Sequence, residues 1–364
     1  MKVLHLSSEQ TWRGGEQQIA YLIDELTRHK VSNYVACRSG SAFEEYAKNK
    51  ALNYKALSFS GSVDLATARA IAKLVKAESI DLVHTHTAKG HGIASIATLV
   101  GLKTPIIVHR RVDFPIRQSW LTQWKYNRPT IKAIICVSHA IEEIVRSGTK
   151  NPNKAVTVHS GVDISRFGAS TKKGLLHEEL GLPSSTKLIG NTSALAPHKN
   201  YGLFVEVAEK LIDQYEGDLH FVIIGDGDQR SAIEMEIEKR SLARHFTLTG
   251  FRNDIPDILP ELDIFLMTSS TEGLGTSLID ALACKVPIVA TEAGGIPEVV
   301  MHEKTGLTAT VGDAQRLAEN CMRLLDDQEL RKGIISNGLK HLQSFTKESM
   351  ATGVLEVYQK ALGN

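Results

Sequence analysis

Two carboxylates eight residues apart, Glu272 and Asp280, flank the glycine-rich turn Gly273-Leu274-Gly275 and the start of a helix at Thr276. The free backbone amides of such a turn and helix start can hold a phosphorylated ligand. Amides at a helix start suit phosphate because unpaired N–H donors and the helix dipole act together. The wider stretch Phe265 to Val300 reads as strand, turn, helix, strand, turn, helix, with Gly294-Gly295-Ile296-Pro297-Glu298 as its second turn. Two such turns in succession belong at the carboxyl edge of a parallel sheet, where these sheets bind phosphates. Gly14 and Gly15 follow the first strand, where they serve a turn and allow close approach of backbone to ligand. His84 and His86 occupy one face of a strand, with His91 beyond. No acid or thiol accompanies these histidines, so a cleft-facing role for His86 is favoured over a metal site.

The elements that must position these residues alternate. Strands are expected at Lys2–Ser7, Val31–Cys37, Leu82–His84, Ile106–Val108, Ile134–Ser138 and Val156–Val158, with helices between. A second series has strands at Leu188–Asn191, Leu219–Ile224, Phe246–Leu248, Ile264–Met267 and Pro287–Ala290, and C-terminal helices from Ala314. Alternation with short loops means an α/β chain of two Rossmann-like, doubly wound parallel-sheet domains facing a cleft. The domains are expected at 1–168 and 169–346. The stretch from Gly161 to Lys187, with Gly168, Ser170, Gly174 and Pro183, connects them, and a last helix at 347–364 returns to the first.

The 364 residues suffice for two cores, and 42% hydrophobic with 23% charged residues is ordinary globular composition. The net charge of +1 conceals +10 in residues 1–168 and −9 in the remainder. A basic first half fits an anionic partner, whether a lipid surface, a phosphorylated acceptor or nucleic acid, or else charges that only solvate helix faces. The four cysteines form no C-x-x-C, which argues against a disulfide framework or zinc site. No apolar run approaches spanning length, and the chain runs straight into its first strand; a cytoplasmic protein is expected, peripheral at the inner face of a membrane if it works there. Arg110 to Arg128 carries Trp120 and Trp124 one turn apart among basic residues. That pattern suits either an anionic lipid or sugar acceptor or a helix packed into its own domain.

The order and spacing of several motifs resemble the retaining, nucleotide-sugar-dependent enzymes of glycosyltransferase family 4, which have the GT-B fold. They are Arg13-Gly14-Gly15-Glu16, Val137-Ser138-His139-Ala140, Ser160-Gly161-Val162-Asp163, Leu195 with Lys199, Gly225-Asp226-Gly227, Gly250-Phe251, and the run Glu272 to Glu298. The resemblance implies that Glu272 contacts hydroxyls of the donor sugar, Gly273, Leu274, Gly275 and Thr276 hold its diphosphate, and Asp280 binds the ribose. Lys199 neutralises the leaving diphosphate without a metal. Gly14, Gly15 and Gly225 line the donor, and Phe251 and Arg252 lie near the base. On the acceptor side it implies Arg13, His86, His109, Arg111 and Trp120, with His86 and Arg111 beside Glu272 and Lys199 as the catalytic set. The expected partners are a nucleotide-sugar donor and a glycan or lipid-linked acceptor for cell-envelope synthesis, with no nucleic acid and no metal or other cofactor.

Three positions depart from the family pattern. Asp280 stands where Glu is usual, Ala194 where an arginine usually precedes Lys199, and Arg111 where a histidine is common. Ala194 and Asp280 favour an alternative, a nucleotide-sugar-binding protein without transferase activity. A sugar-nucleotide epimerase is a third reading. A nicotinamide dehydrogenase is disfavoured because no G-x-G-x-x-G opens the first strand–helix turn.

Overall fold

The computed structural model describes residues 1–61, 63–167 and 173–363. Its backbone forms two sheets, in each of which every paired strand runs parallel. The first contains β1 (Lys2–Ser7), β2 (Ser32–Arg38), β3 (Asn53–Leu57), β4 (Leu82–Thr85), β5 (Ile106–Arg110), β6 (Ile131–Cys136) and β7 (Ala155–Thr157), in the spatial order β3-β2-β1-β4-β5-β6-β7. The second contains β8 (Lys187–Thr192), β9 (Leu219–Ile224), β10 (Phe246–Gly250), β11 (Ile264–Met267), β12 (Ile288–Thr291) and β13 (Leu307–Ala309), in the order β10-β9-β8-β11-β12-β13. Strand order reverses between β1 and β4 in one sheet and between β8 and β11 in the other. Loops diverge to opposite faces at such points and leave a crevice at the carboxyl ends.

The chain divides into a unit of Met1–Val162 with Thr346–Asn364 and a unit of Asp163–Phe345. The first junction therefore precedes the 168/169 boundary expected from composition. That boundary, with Gly168 and Ser170, lies outside the described residues. Thr346 belongs with the last helix, which it caps by accepting from Ser349 N. The connector is also more regular than expected, since Leu175–Leu180 is helical between glycines in the left-handed region at both ends.

Two strands were not expected. β3 is an edge strand whose first three residues are exposed, so it lacks the apolar alternation that marks a half-buried strand. β13 is only three residues long. The Gly14-Gly15 pair is also not a turn. These are the first two residues of the Gly14–Arg28 helix, and neither has a positive φ. A Cβ added to either would meet nothing within 4 Å, so the pair leaves an open backbone face. The Arg110–Arg128 stretch is helical only over Trp120–Tyr126.

One face of the first sheet is decided by alternation. Val3, Leu82 and Ile107 form a core with Tyr21, Leu22 and Leu26 of the first helix and Met350, Val354 and Tyr358 of the last. Two residues further along the same strands, on that same face, stand His5, His84 and His109. The face thus changes from aliphatic to imidazole toward the carboxyl edge. The last helix is seated through a close approach at Gly161, where a Cβ would lie 2.3 Å from Thr346 O and 2.7 Å from Lys347 Cα. Both obstacles are backbone and cannot rotate aside. Gly161→Ala is therefore expected to destabilise the first unit by ~1–3 kcal/mol. All three tryptophans lie in that unit, so the loss reads directly as a lower urea midpoint by tryptophan fluorescence.

Candidate functional site

At the switch point of the second unit two of the residues predicted for the donor, Lys199 and Glu272, meet. Lys199 follows β8 and Glu272 follows β11, and Lys199 Nζ forms an ion pair with Glu272 Oε2. Each side chain is 14% exposed, so the charges are largely withdrawn from water and each depends on the other. The loops carrying them are stitched together. Ser270 N donates to His198 O at 2.8 Å, and Thr268 Oγ1 donates to Lys199 O at 3.2 Å and Asn200 O at 3.1 Å. Thr291 Oγ1 donates to Ser269 O at 2.6 Å, and Gly295 N to Glu272 O at 2.9 Å, which ties the first glycine turn to the second.

Gly275 caps the Thr276–Ala283 helix at φ 84°, a left-handed conformation, and a Cβ there would lie 2.7 Å from Leu278 Cδ1. Only glycine fits without strain. Gly273, Leu274 and Gly275 are buried, and Leu274 turns its side chain inward, so this segment offers backbone rather than side chains. The first-turn amides have no preceding helical carbonyl to bond. Asp280 sits on the same helix. Burial pushes its carboxyl up to about 7, with Arg166 pulling weakly the other way.

Gly225 has a different requirement. A Cβ there would lie 1.9 Å from Ser193 O, and one on Gly227 2.6 Å from Leu195 O. Both glycines let the β8 and β9 loops touch, a packing role that bare motif reading does not reveal. Phe251 is 73% exposed. Arg252 is engaged by its own neighbours: Nη1 donates to Glu179 Oε1 at 2.6 Å and Nη2 to Asp254 Oδ2 at 2.6 Å.

The first unit gathers a second group around its own switch point. His5 and His84 are register partners on β1 and β4. Ring centroids of His84 and His86 are 4.0 Å apart, and His109 stacks on His84 at 5.3 Å. Burial lowers the pKa of His5 to about 4 and those of His84, His86 and His109 well below the usual imidazole value. Four neutral imidazoles therefore surround Arg111, whose Nη1 donates to His86 O at 3.2 Å. Burial draws the Arg111 pKa down to about 10, Glu16 opposing, and the guanidinium stays charged at neutrality. His84 Nδ1 is joined to Tyr358 OH at 2.6 Å.

His91 is not part of this group. Its Nε2 lies 3.3 Å from Lys125 O. The third imidazole close enough to share an ion with His84 and His86 is His5, which motif reading missed. Its signal was the Val3-x-His5 alternation continuing along the buried face. Arg13 is exposed and turns its Nε to Thr11 Oγ1 at 3.2 Å. Trp120 is 79% exposed and lines an apolar cavity of about 390 Å³ with Ile96, Leu99, Leu121 and Trp124, to which none of the clustered histidines contributes.

Two doubly wound parallel-sheet units define the GT-B class of glycosyltransferase fold. Two family models match the chain, Glycosyltransferase Family 4 over residues 12–166 and Glycosyl transferases group 1 over residues 172–341. The chain belongs to this glycosyltransferase family. It is 25% identical over 319 residues to N-acetyl-alpha-D-glucosaminyl L-malate synthase of Bacillus anthracis, covering 82% of this chain and 80% of that one. It is 28% identical over 282 residues to the Escherichia coli UDP-Gal:alpha-D-GlcNAc-diphosphoundecaprenol alpha-1,3-galactosyltransferase, covering 73% and 72%. Among solved structures, Anabaena Alr3699/HepE in complex with UDP superposes with a TM-score of 0.85 at 21% identity, covering 99% of this chain and 100% of that one.

The raised carboxyl of Asp280 carries a stability consequence. An acid that titrates near 4 when unfolded and near 7 when folded costs the fold stability as pH rises through that window. Asp280→Asn removes the cost. The variant should melt a few degrees above the parent at pH 8, with the gap closing by pH 4. Paired thermal melts at the two pH values measure it.

Proposed function

We propose that this chain transfers a sugar, with retention at the anomeric carbon, from a UDP-linked donor to an acceptor hydroxyl in the synthesis of a bacterial envelope glycan or glycolipid. The Lys199–Glu272 ion pair at the β8/β11 switch point carries the reading. Support for the base comes from Alr3699/HepE, whose complexes hold UDP and UDP-glucose, and from the galactosyltransferase named for UDP-Gal. Support for a lipid-linked acceptor comes from that same galactosyltransferase, named for a diphosphoundecaprenol acceptor.

In this mechanism the ion pair is a placeholder. An entering diphosphate competes for Lys199, and Glu272, released, accepts hydrogen bonds from sugar hydroxyls. Backbone N–H groups from Gly273 to Thr276 hold the diphosphate oxygens. The bond from the anomeric carbon to the diphosphate oxygen breaks. The acceptor oxygen bonds the same face of that carbon, and its proton passes to the departing diphosphate. The protein supplies position and electrostatic stabilisation; no side-chain nucleophile and no metal enter. Asp280, one methylene shorter than the usual glutamate and partly protonated near neutrality, faces the ribose. Ala194 leaves Lys199 as the principal cation for the leaving group.

The two members of the ion pair should respond with opposite sign. Lys199→Met removes the cation and leaves Glu272 to repel phosphate, so UDP affinity should fall at least tenfold. Glu272→Gln removes the competing anion, so UDP affinity should hold or rise while sugar transfer falls at least a hundredfold. Calorimetric titration of UDP and an assay of nucleotide released from UDP-, GDP- and ADP-sugars measure both. Equal loss of UDP affinity in the two variants would contradict the placeholder.

The same reading places the first unit against an anionic membrane surface. Exposed Phe114, Trp120 and Leu121, the apolar cavity beside them, and exposed Arg117 form an apolar patch with basic charge, in a half of the chain with net positive charge. Arg117→Glu combined with Trp120→Ser should lower sedimentation with phosphatidylglycerol vesicles at least fivefold. Unchanged sedimentation would remove the membrane from the account.

A further inference from the structure

The buried histidines of the first unit have a direction, and Asn33 on β2 sets it. Asn33 Nδ2 donates to Val31 O at 3.1 Å and to Thr27 Oγ1 at 3.0 Å, and the Thr27 hydroxyl hydrogen goes to Ile23 O at 2.7 Å. A flipped amide would press its oxygen against the Val31 carbonyl, so Oδ1 is the atom aimed at His5. His5 Nε2 lies 3.0 Å from Oδ1 and must donate to it. A neutral imidazole protonated on Nε2 has its lone pair on Nδ1. That lone pair faces His86 Nε2 at 3.0 Å, so His86 donates there and is itself left with an accepting Nδ1. The group opposite is Arg111 Nη2, which can only donate, at 3.4 Å. Every link agrees with one proton arrangement and with no other.

We propose that Asn33, His5 and His86 are positioning residues, a one-way hydrogen-bond chain that holds the Arg111 guanidinium at the carboxyl edge of the first sheet as a fixed donor to a phosphate or diphosphate group. This deepens the transferase reading by assigning that group to the acceptor, though the chain itself does not depend on that reading. Arg111 Nε, both ring nitrogens of His109 and Nε2 of His84 are buried with no partner among the described residues. Unpaired buried polar atoms each cost about 1–3 kcal/mol, and Arg111, half-buried as a residue, gives only two of its five N–H groups to His86, which leaves donors for a bound anion.

The geometry opposes the obvious rival. His5, His84 and His86 are close enough to share a metal ion. Binding through His5 Nδ1 and His86 Nε2 would force the His86 proton onto Nδ1, against a guanidinium N–H. It would also set a dication beside that buried cation with no carboxylate among the three ligands.

Nitrogen-15 NMR of the histidine rings and arginine side chains in the full chain tests the proposal, with saturating UDP present to occupy the second unit. His5 and His86 should both be Nε2–H tautomers, unchanged from pH 6 to 8. Inorganic pyrophosphate should shift the Arg111 Nε signal saturably. Asn33→Leu should erase the tautomer preference of both rings and weaken the pyrophosphate response about tenfold. An Nδ1–H tautomer on either wild-type ring overturns the chain even if the leucine variant fails to fold. An Arg111 signal indifferent to pyrophosphate overturns the anion assignment, and stoichiometric zinc displacing the ring signals would make the cluster a metal site instead. Failure of every nucleotide sugar to turn over would sink the transferase reading but leave these signals where they are.

Discussion

The ion pair between Lys199 and Glu272 joins the loops that follow β8 and β11 in the second unit. Two opposite charges held mostly out of water each lose their principal partner if the other leaves, with only Ser269 Oγ, 3.5 Å from Glu272 Oε2, beside them among the described residues. The loops they ride on are accordingly cross-linked by backbone and hydroxyl hydrogen bonds, Gly225 and Gly227 let the β9 loop close on the β8 loop, and Gly275 makes the tight turn after Glu272. A stable ion pair is a poor source of net stability. In the proposed transfer it is a reserved position, because a ligand with both a diphosphate and a sugar can satisfy both charges at once.

The two units share an architecture and divide the chemistry. Each reverses its strand order once, and each places its unusual polar residues at that reversal. In the second unit those residues are an acid and a base in contact. In the first they are four neutral imidazoles around one guanidinium, with the hydroxyl of Tyr358 reaching in from the last helix. The first arrangement suits a sugar diphosphate. The other excludes mobile protons from a buried region and presents a single permanent cation.

Most of the fold was legible because alternation of apolar strands and helices is a long, redundant signal. The strands that escaped, β3 and β13, are an exposed edge and a three-residue segment, too weakly patterned to register. Lys199 and Glu272 each stand in a legible motif, and their contact is a three-dimensional fact that two positions 73 residues apart cannot announce. His5 and Asn33 were missed for a related reason. Neither belongs to a spaced motif, and their role comes from register between β1, β2 and β4. Arg252, placed near the base by the resemblance, is paired with Glu179 and Asp254, contacts that its sequence position does not announce.

The central claim is that the β8/β11 switch point holds a nucleotide diphosphate. Hydrogen–deuterium exchange of the full chain with and without UDP tests it most directly. The account predicts slowed exchange in the segments around Pro197 to Tyr201 and Gly273 to Leu278, with little change at the β1/β4 edge of the first unit. Protection confined to the first unit, or none at saturating UDP, would contradict it.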